Sequence, residues 1–197
     1  MTDSDLIQNC IPGVLKHTVV GGGDINRSYC IHTSQQKLFL KINDSRKLPG
    51  MFARESAGLD ALRNTNTISV PNVLGQGNED DLQYLLLEWL DGHQAQTISW
   101  QKLGRDLAAL HQHAQVSFGW DEDNFIGSLI QQNQPTSSWC EFYREYRIMP
   151  NIKKLRLTRQ LTSHHEQLAL RLCDNLIMSS PLSCHHFYTA IYGQAIL

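Results

Sequence analysis

Lys41 ends the apolar run Leu38-Phe39-Leu40-Lys41, and Glu55 follows it within Phe52-Ala53-Arg54-Glu55. A strand lysine held out by a helix carboxylate presents a fixed ammonium to phosphate oxygens, so the pair suits a nucleotide polyphosphate. Upstream, Gly21-Gly22-Gly23 with Asp24, Ile25 and Asn26 forms a turn whose missing side chains let backbone N–H groups approach phosphate. Downstream, Leu85-Leu86-Leu87 runs through Glu88, Trp89 and Leu90 into Asp91-Gly92, a buried strand whose polar exit could pair with a base edge. Each feature has an ordinary alternative: a plain hairpin turn, an exposed edge lysine, a solvated helix carboxylate beside Arg54, a core strand and its turn. Their order along the chain favours the phosphate-binding reading.

These residues need strands and one helix to hold them. His17–Val20 is β-prone, and Ser28–Thr33 and Lys37–Ile42 form a hairpin across Ser34-Gln35-Gln36. Alternation puts Phe39 and Lys41 on one face of their strand and Leu38 and Leu40 on the other. Phe52, Leu59 and Leu62 suit one face of a helix over Met51–Arg63, Pro71–Leu74 opens another strand, and Gln83–Leu90 reads as a buried one. After Gly92 the pattern turns helical. Leu103, Leu107 and Leu110 line one face of Trp100–Gln115, with Ser99 as N-cap. Ser117–Thr136 reads as a loop. An aromatic stripe marks Ser138–Met149, ended by Pro150, and Leu161–Leu176 is a further helix. The expected class is α+β, with residues 1–91 as an antiparallel-sheet lobe and hinge and residues 92–183 as an incomplete helical lobe.

Composition narrows the partners. The 197 residues include 17 Lys plus Arg against 19 Asp plus Glu, a net charge of −2, so no basic field exists for nucleic acid or an anionic membrane. The N-terminus lacks the basic start and apolar run of a signal peptide, and no apolar run is long enough to span a bilayer. Cys10, Cys30, Cys140, Cys173 and Cys184 are odd in number and show no CxxC spacing, which fits reduced thiols in a cytoplasmic protein. No metal site is expected: His111 and His113 point to different faces, His164 and His165 are surface residues, and Cys184-His185-His186 lacks partners at ligand spacing.

Several segments closely resemble the fructosamine kinase family. They are Gly21–Asn26, Leu38–Lys41, Leu87–Leu90, Leu103–His111 and above all Phe118-Gly119-Trp120-Asp121-Glu122-Asp123-Asn124-Phe125-Ile126-Gly127, with Trp139, Phe142 and Tyr143 beyond. The resemblance runs from about Leu15 to Leu155. It implies a protein-kinase-like fold that uses ATP with magnesium to phosphorylate the 3-hydroxyl of a ketosamine or glycated amine. By position, Gly21, Gly22, Gly23, Asp24 and Asn26 would cover the phosphates, and Lys41 and Glu55 would form the ion pair. Glu88, Trp89 and Leu90 would contact adenine, and Asn124, Phe125 and Gly127 would shape the wall near the substrate.

The family continues with a catalytic loop His-Gly-Asp-Leu-Trp-x-Gly-Asn and a later aspartate, supplying the base and the magnesium ligands. Neither occurs here; residues 184–197 read Cys-His-His-Phe-Tyr-Thr-Ala-Ile-Tyr-Gly-Gln-Ala-Ile-Leu. Tyr188 onward can be written TAC ACG GCG ATT TAT GGT CAG GCA ATT TTA. Starting at the last base of the tyrosine codon gives CAC GGC GAT TTA TGG TCA GGC AAT TTT, or His-Gly-Asp-Leu-Trp-Ser-Gly-Asn-Phe. Codons for Cys184–Phe187 in that frame permit Pro-Ser-Leu-Leu. The expectation is a frameshift upstream of Cys184, leaving residues 184–197 as an out-of-frame tail and this chain without catalytic residues. The alternatives are a pseudokinase that keeps nucleotide without turnover and a non-functional product.

Overall fold

A computed structural model describes residues 1–179 except 22, 24 and 93, and not the side chains of 176–179. The described chain divides into two units, Met1–Ala108 and the residues from Ala109 onward.

The first unit is a five-stranded antiparallel sheet with one helix before it and one inserted between strands. Strands β1 (Val14–Val20), β2 (Arg27–Thr33), β3 (Lys37–Asp44), β4 (Val73–Glu79) and β5 (Leu82–Glu88) lie in the order β1-β2-β3-β5-β4. Residues alternate between the two faces of a strand, so the pairing register sorts them. Lys41 stands opposite Ser28 and Leu85, Phe39 opposite Cys30 and Leu87, and Asn43 opposite Gln83. The intervening Leu38, Leu40 and Ile42 face the other way and join Ile31 in a core closed by Leu6 and Ile7 of helix α1 (Asp3–Cys10) and by Ile11 just after it. Fully burying each such side chain contributes about 1.5–3 kcal/mol, which ties a short helix to the sheet.

Helix α1 begins at an N-cap, Thr2, whose hydroxyl accepts from the Asp5 backbone while the Asp5 carboxylate accepts from the Thr2 backbone. Asp3 accepts from Arg27 Nε at 2.5 Å and Nη2 at 2.8 Å, and from the Tyr29 hydroxyl at 2.7 Å, fastening α1 to β2. Burial works against the ionised Asp3, yet the bonds from Arg27 and Tyr29 outweigh it and hold the carboxyl below its ordinary range. A depressed carboxylate pKa stabilises the fold above the unfolded value, and that contribution is lost as pH falls through the folded value. Asp3→Asn is therefore expected to cost about 1 kcal/mol at neutral pH, the half-exposed arginine tempering the effect. In acid unfolding curves the variant and the parent should converge below about pH 4. A constant difference down to low pH would remove the ion pair as its source.

Helix α2 (Met51–Asn64) turns Met51, Phe52, Glu55, Leu59 and Leu62 inward and lies against β4 and β5. Helix α3 (Thr97–His111) has the expected period; Leu110 is buried, while Leu103 on the same face is 41% exposed. The helix also stops before His113.

The second unit departs further from expectation. The segment expected to be a loop contains a hairpin, β6 (Asn124–Ile126) and β7 (Leu129–Gln131), closed by Gly127-Ser128 with Gly127 at φ 61°. Glycine first in a two-residue hairpin loop meets the left-handed requirement of its turn. Gly119 has φ 124°, and a Cβ there would sit 2.6 Å from the Asn133 carbonyl oxygen. Pro150 does not end its helix. Helix α4 (Trp139–Tyr143) passes through a π-turn at Arg144–Ile148 into α5 (Met149–Leu157), and the Met149 N–H donates to the Arg144 carbonyl. Proline in the first turn of α5 needs no helical donor, and the wider turn before it gives its ring room. Phe142 is buried between Tyr146 and the Arg147 guanidinium, which lies 4.5 Å over its ring. Helix α6 (Ser163–Ser179) follows. Among the described residues no helix is long and apolar enough to cross a membrane.

Candidate nucleotide site

The pleat of β3 sets the site. Lys41 projects from the face turned towards α2, and its Nζ donates to Glu55 Oε1 at 2.6 Å. The lysine side chain is 18% exposed and the glutamate 5%. An ion pair removed from water this far needs good geometry to offset desolvation, and here the single contact is short. An ammonium carries three donors, so Lys41 can meet further acceptors while Glu55 holds it. Glu55 Oε2 is buried without a hydrogen-bond partner among the described residues.

The pair borders a cavity of about 300 Å³, also lined by Val20, Phe39, Leu59, Pro71, Leu87, Glu88, Trp89 and Leu90. That volume lies at the small end of ligand pockets, which begin near about 300 Å³. The two ends differ in chemistry. Phe39, Leu87 and Val20 give an apolar wall, with the Phe39 and Trp89 rings 6.2 Å apart, while Lys41 supplies the cationic end. Trp89 is steadied through Nε1, which donates to Asp91 Oδ1 at 2.9 Å, and by Lys37 Nζ 6.0 Å from its ring centre. The Glu88 carboxylate turns to Asn72, accepting from Nδ2 at 2.7 Å, and the Glu88 N–H donates to the Asn72 carbonyl at 2.9 Å. These bonds fix the exit of β5.

Lys41, Glu55, Glu88, Trp89 and Leu90 thus come together around one cavity. Val20, next to the glycine turn, reaches it too. A Cβ on Gly21 would meet nothing within 4 Å, and on Gly23 only the Asn26 carbonyl at 3.6 Å, so internal packing does not demand glycine there. Gly22 and Asp24 lie outside the described residues, as does the tail 184–197. Asn26 turns its side chain to the sheet, accepting from Asn43 Nδ2 at 2.8 Å. Asn124, Phe125 and Gly127 form part of the β6–β7 hairpin in the second unit, with Phe125 buried. Sequence reasoning missed Leu59, one helical turn beyond Glu55, and Leu87, opposite Phe39; helix and strand periods could have found both. Cys30 is 4% exposed, and burial pushes its thiol pKa up. A thiol so placed is a packing group. Among the described residues no group of three His, Cys, Asp or Glu could hold a metal ion.

The sequence model of the fructosamine kinase family matches residues 9–184. The chain belongs to the fructosamine kinase family. A probable ketoamine kinase of Synechocystis sp. is 42% identical over 130 residues, covering 66% of this chain and 44% of the relative. The chloroplastic protein-ribulosamine 3-kinase of Arabidopsis thaliana is 39% identical over 145 residues, covering 70% of this chain and 42% of the relative. A crystal structure from Haemophilus somnus 129PT, provisionally named a fructosamine-3-kinase, superposes with a TM-score of 0.78 at 28% identity. It covers 85% of this chain and 57% of its own. The chain therefore spans about half the length of the curated relatives it matches. Its α+β architecture, an antiparallel sheet unit followed by a mainly helical one, is that of the kinase-like fold.

Proposed function

We propose that the cavity beside Lys41 and Glu55 binds ATP, and that the protein phosphorylates the sugar 3-hydroxyl of a ketosamine carried on an amine. The observation that carries this is the 2.6 Å Lys41–Glu55 pair at the edge of an apolar cavity. The base would stack among Phe39, Leu87 and Trp89, and the backbone of Glu88–Leu90 would meet its edge. Lys41 would contact the phosphates beneath the glycine turn, with Glu55 holding it extended.

In the transfer, the sugar oxygen forms a bond to the γ-phosphorus, the bond from that phosphorus to the ADP oxygen breaks, and the hydroxyl proton passes to a base. In the family the base and one magnesium ligand come from the loop His-Gly-Asp-Leu-Trp-x-Gly-Asn and another ligand from a later aspartate; that loop does not occur in residues 1–197. No step is assigned to magnesium on the described residues. Phosphoryl transfer rests on the positioning and charge neutralisation that this loop supplies, so turnover depends on it.

Titration with ATP tests the first half. At 100 times Kd, ATP should raise stability by about 2.7 kcal/mol, seen as a higher Tm. An unchanged Tm with millimolar ATP would remove the nucleotide site.

A further inference from the structure

Behind the Lys41–Glu55 pair lies a chain of buried amides that the nucleotide site does not itself use. Asn43, 2% exposed, is two residues beyond Lys41 on the same face of β3. Its Nδ2 donates to Asn26 Oδ1 at 2.8 Å and lies 3.3 Å from Met51 Sδ. Its Oδ1 accepts from Gln83 Nε2 at 2.6 Å, and Gln83, also 2% exposed, donates to the Leu48 carbonyl as well. Four segments meet here: the residue preceding β2, strands β3 and β5, and the turn that opens α2.

The spacing explains why the chain sits there. Two residues of strand advance about 6.6 Å and four residues of helix about 6 Å, so a strand and a helix running side by side make matched rungs. Lys41–Glu55 is one rung, and Asn43–Met51 is the next, two residues on along β3 and four residues back along α2. From the second rung the Asn43 amide reaches sideways to Asn26, the last residue of the turn that begins at Gly21. A buried amide is costly unless its groups are bonded, and a satisfied one fixes its neighbours in place.

We propose that Asn43 and Gln83 are positioning residues: through Asn26 they fix the backbone entering β2 to the same frame that holds Lys41 and Glu55. A phosphate held by Lys41 would then lie at a preset distance from that backbone. This rests on the nucleotide reading above, although the anchoring itself can be read without nucleotide.

The test uses the whole chain with three substitutions and one control. Asn26→Leu and Asn43→Leu break the chain. Asn26→Asp keeps an oxygen to accept from Asn43 Nδ2. Leu6→Ala thins the core on the opposite face of the sheet and serves as a control for lost stability. Amide hydrogen exchange at Ile25 and Asn26 should quicken about 10-fold in both leucine variants, and stay as in the parent in Asn26→Asp and in Leu6→Ala. The Kd for ATP should rise about 10-fold in Asn43→Leu and stay within about 3-fold of the parent in Leu6→Ala. Unchanged exchange in Asn43→Leu overturns the anchoring. So does an ATP affinity that follows Tm across all four variants, Leu6→Ala included. A parent chain that fails to bind ATP overturns the nucleotide reading instead, and exchange then decides the anchoring alone.

Discussion

Lys41→Met is expected to raise the Kd for ATP by about 100-fold and, in the absence of any nucleotide, to destabilise the fold by about 3–5 kcal/mol. The two effects have different origins. The first is loss of the ammonium that would meet the phosphates. The second arises because Glu55, with a side chain 5% exposed, keeps a charge whose one short contact has gone. Its Oε2 already lacks a hydrogen bond among the described residues, so the carboxylate has nothing to fall back on. Replacing both members separates the effects. Lys41→Met with Glu55→Leu should recover most of the stability, because apolar side chains of similar volume commonly match or exceed a buried ion pair. The double variant should still fail to bind ATP. Urea unfolding and ATP titration on the three proteins check this. Lys41→Met as stable as the parent would mean that Glu55 is not a buried charge at all. ATP affinity regained in the double variant would mean that Lys41 does not meet the phosphates.

The strand lysine and helix glutamate were legible because two simple periods place them. Alternation along Leu38–Lys41 decides which face Lys41 takes, and the apolar spacing of Phe52, Leu59 and Leu62 turns Glu55 inward with them. The hairpin from β2 to β3 was equally plain, its strands ending within two residues of expectation. What escaped was whatever depends on one residue meeting another far along the chain. Asn43 and Gln83 look like ordinary polar positions in apolar strands, and only the β3–β5 register brings them together, 40 residues apart. The open face of α3 escaped for a related reason: period predicts which residues share a face, not whether anything covers it. Pro150 misled because a proline reads alike whether it ends one helix or opens the next. In the structure a π-turn joins the two.

Moving the coding sequence upstream of codon 184 into the frame that reads His-Gly-Asp-Leu-Trp-Ser-Gly-Asn-Phe is expected to supply the catalytic loop of the family. The argument rests on residue identity. Most of the amino acids from Tyr188 to Leu197 fix two bases of their codon, and with free choice of the third base nine successive shifted triplets spell the family loop. The restored aspartate would take the hydroxyl proton, a contribution of about 10²–10⁴ in rate. The asparagine and the aspartate that follows it in the family would supply the metal ligands that no described residue provides. Turnover of a fructosamine substrate in the range of about 1–100 s⁻¹ is then expected, measured as ADP release, against none above background for the chain in its present frame. The restored aspartate changed to asparagine should return the protein to ATP binding without turnover, which separates a missing base from a misfolded second unit. Two results would sink the idea: a stop codon in the shifted frame soon after the loop, or equal ADP release from the chain as it stands.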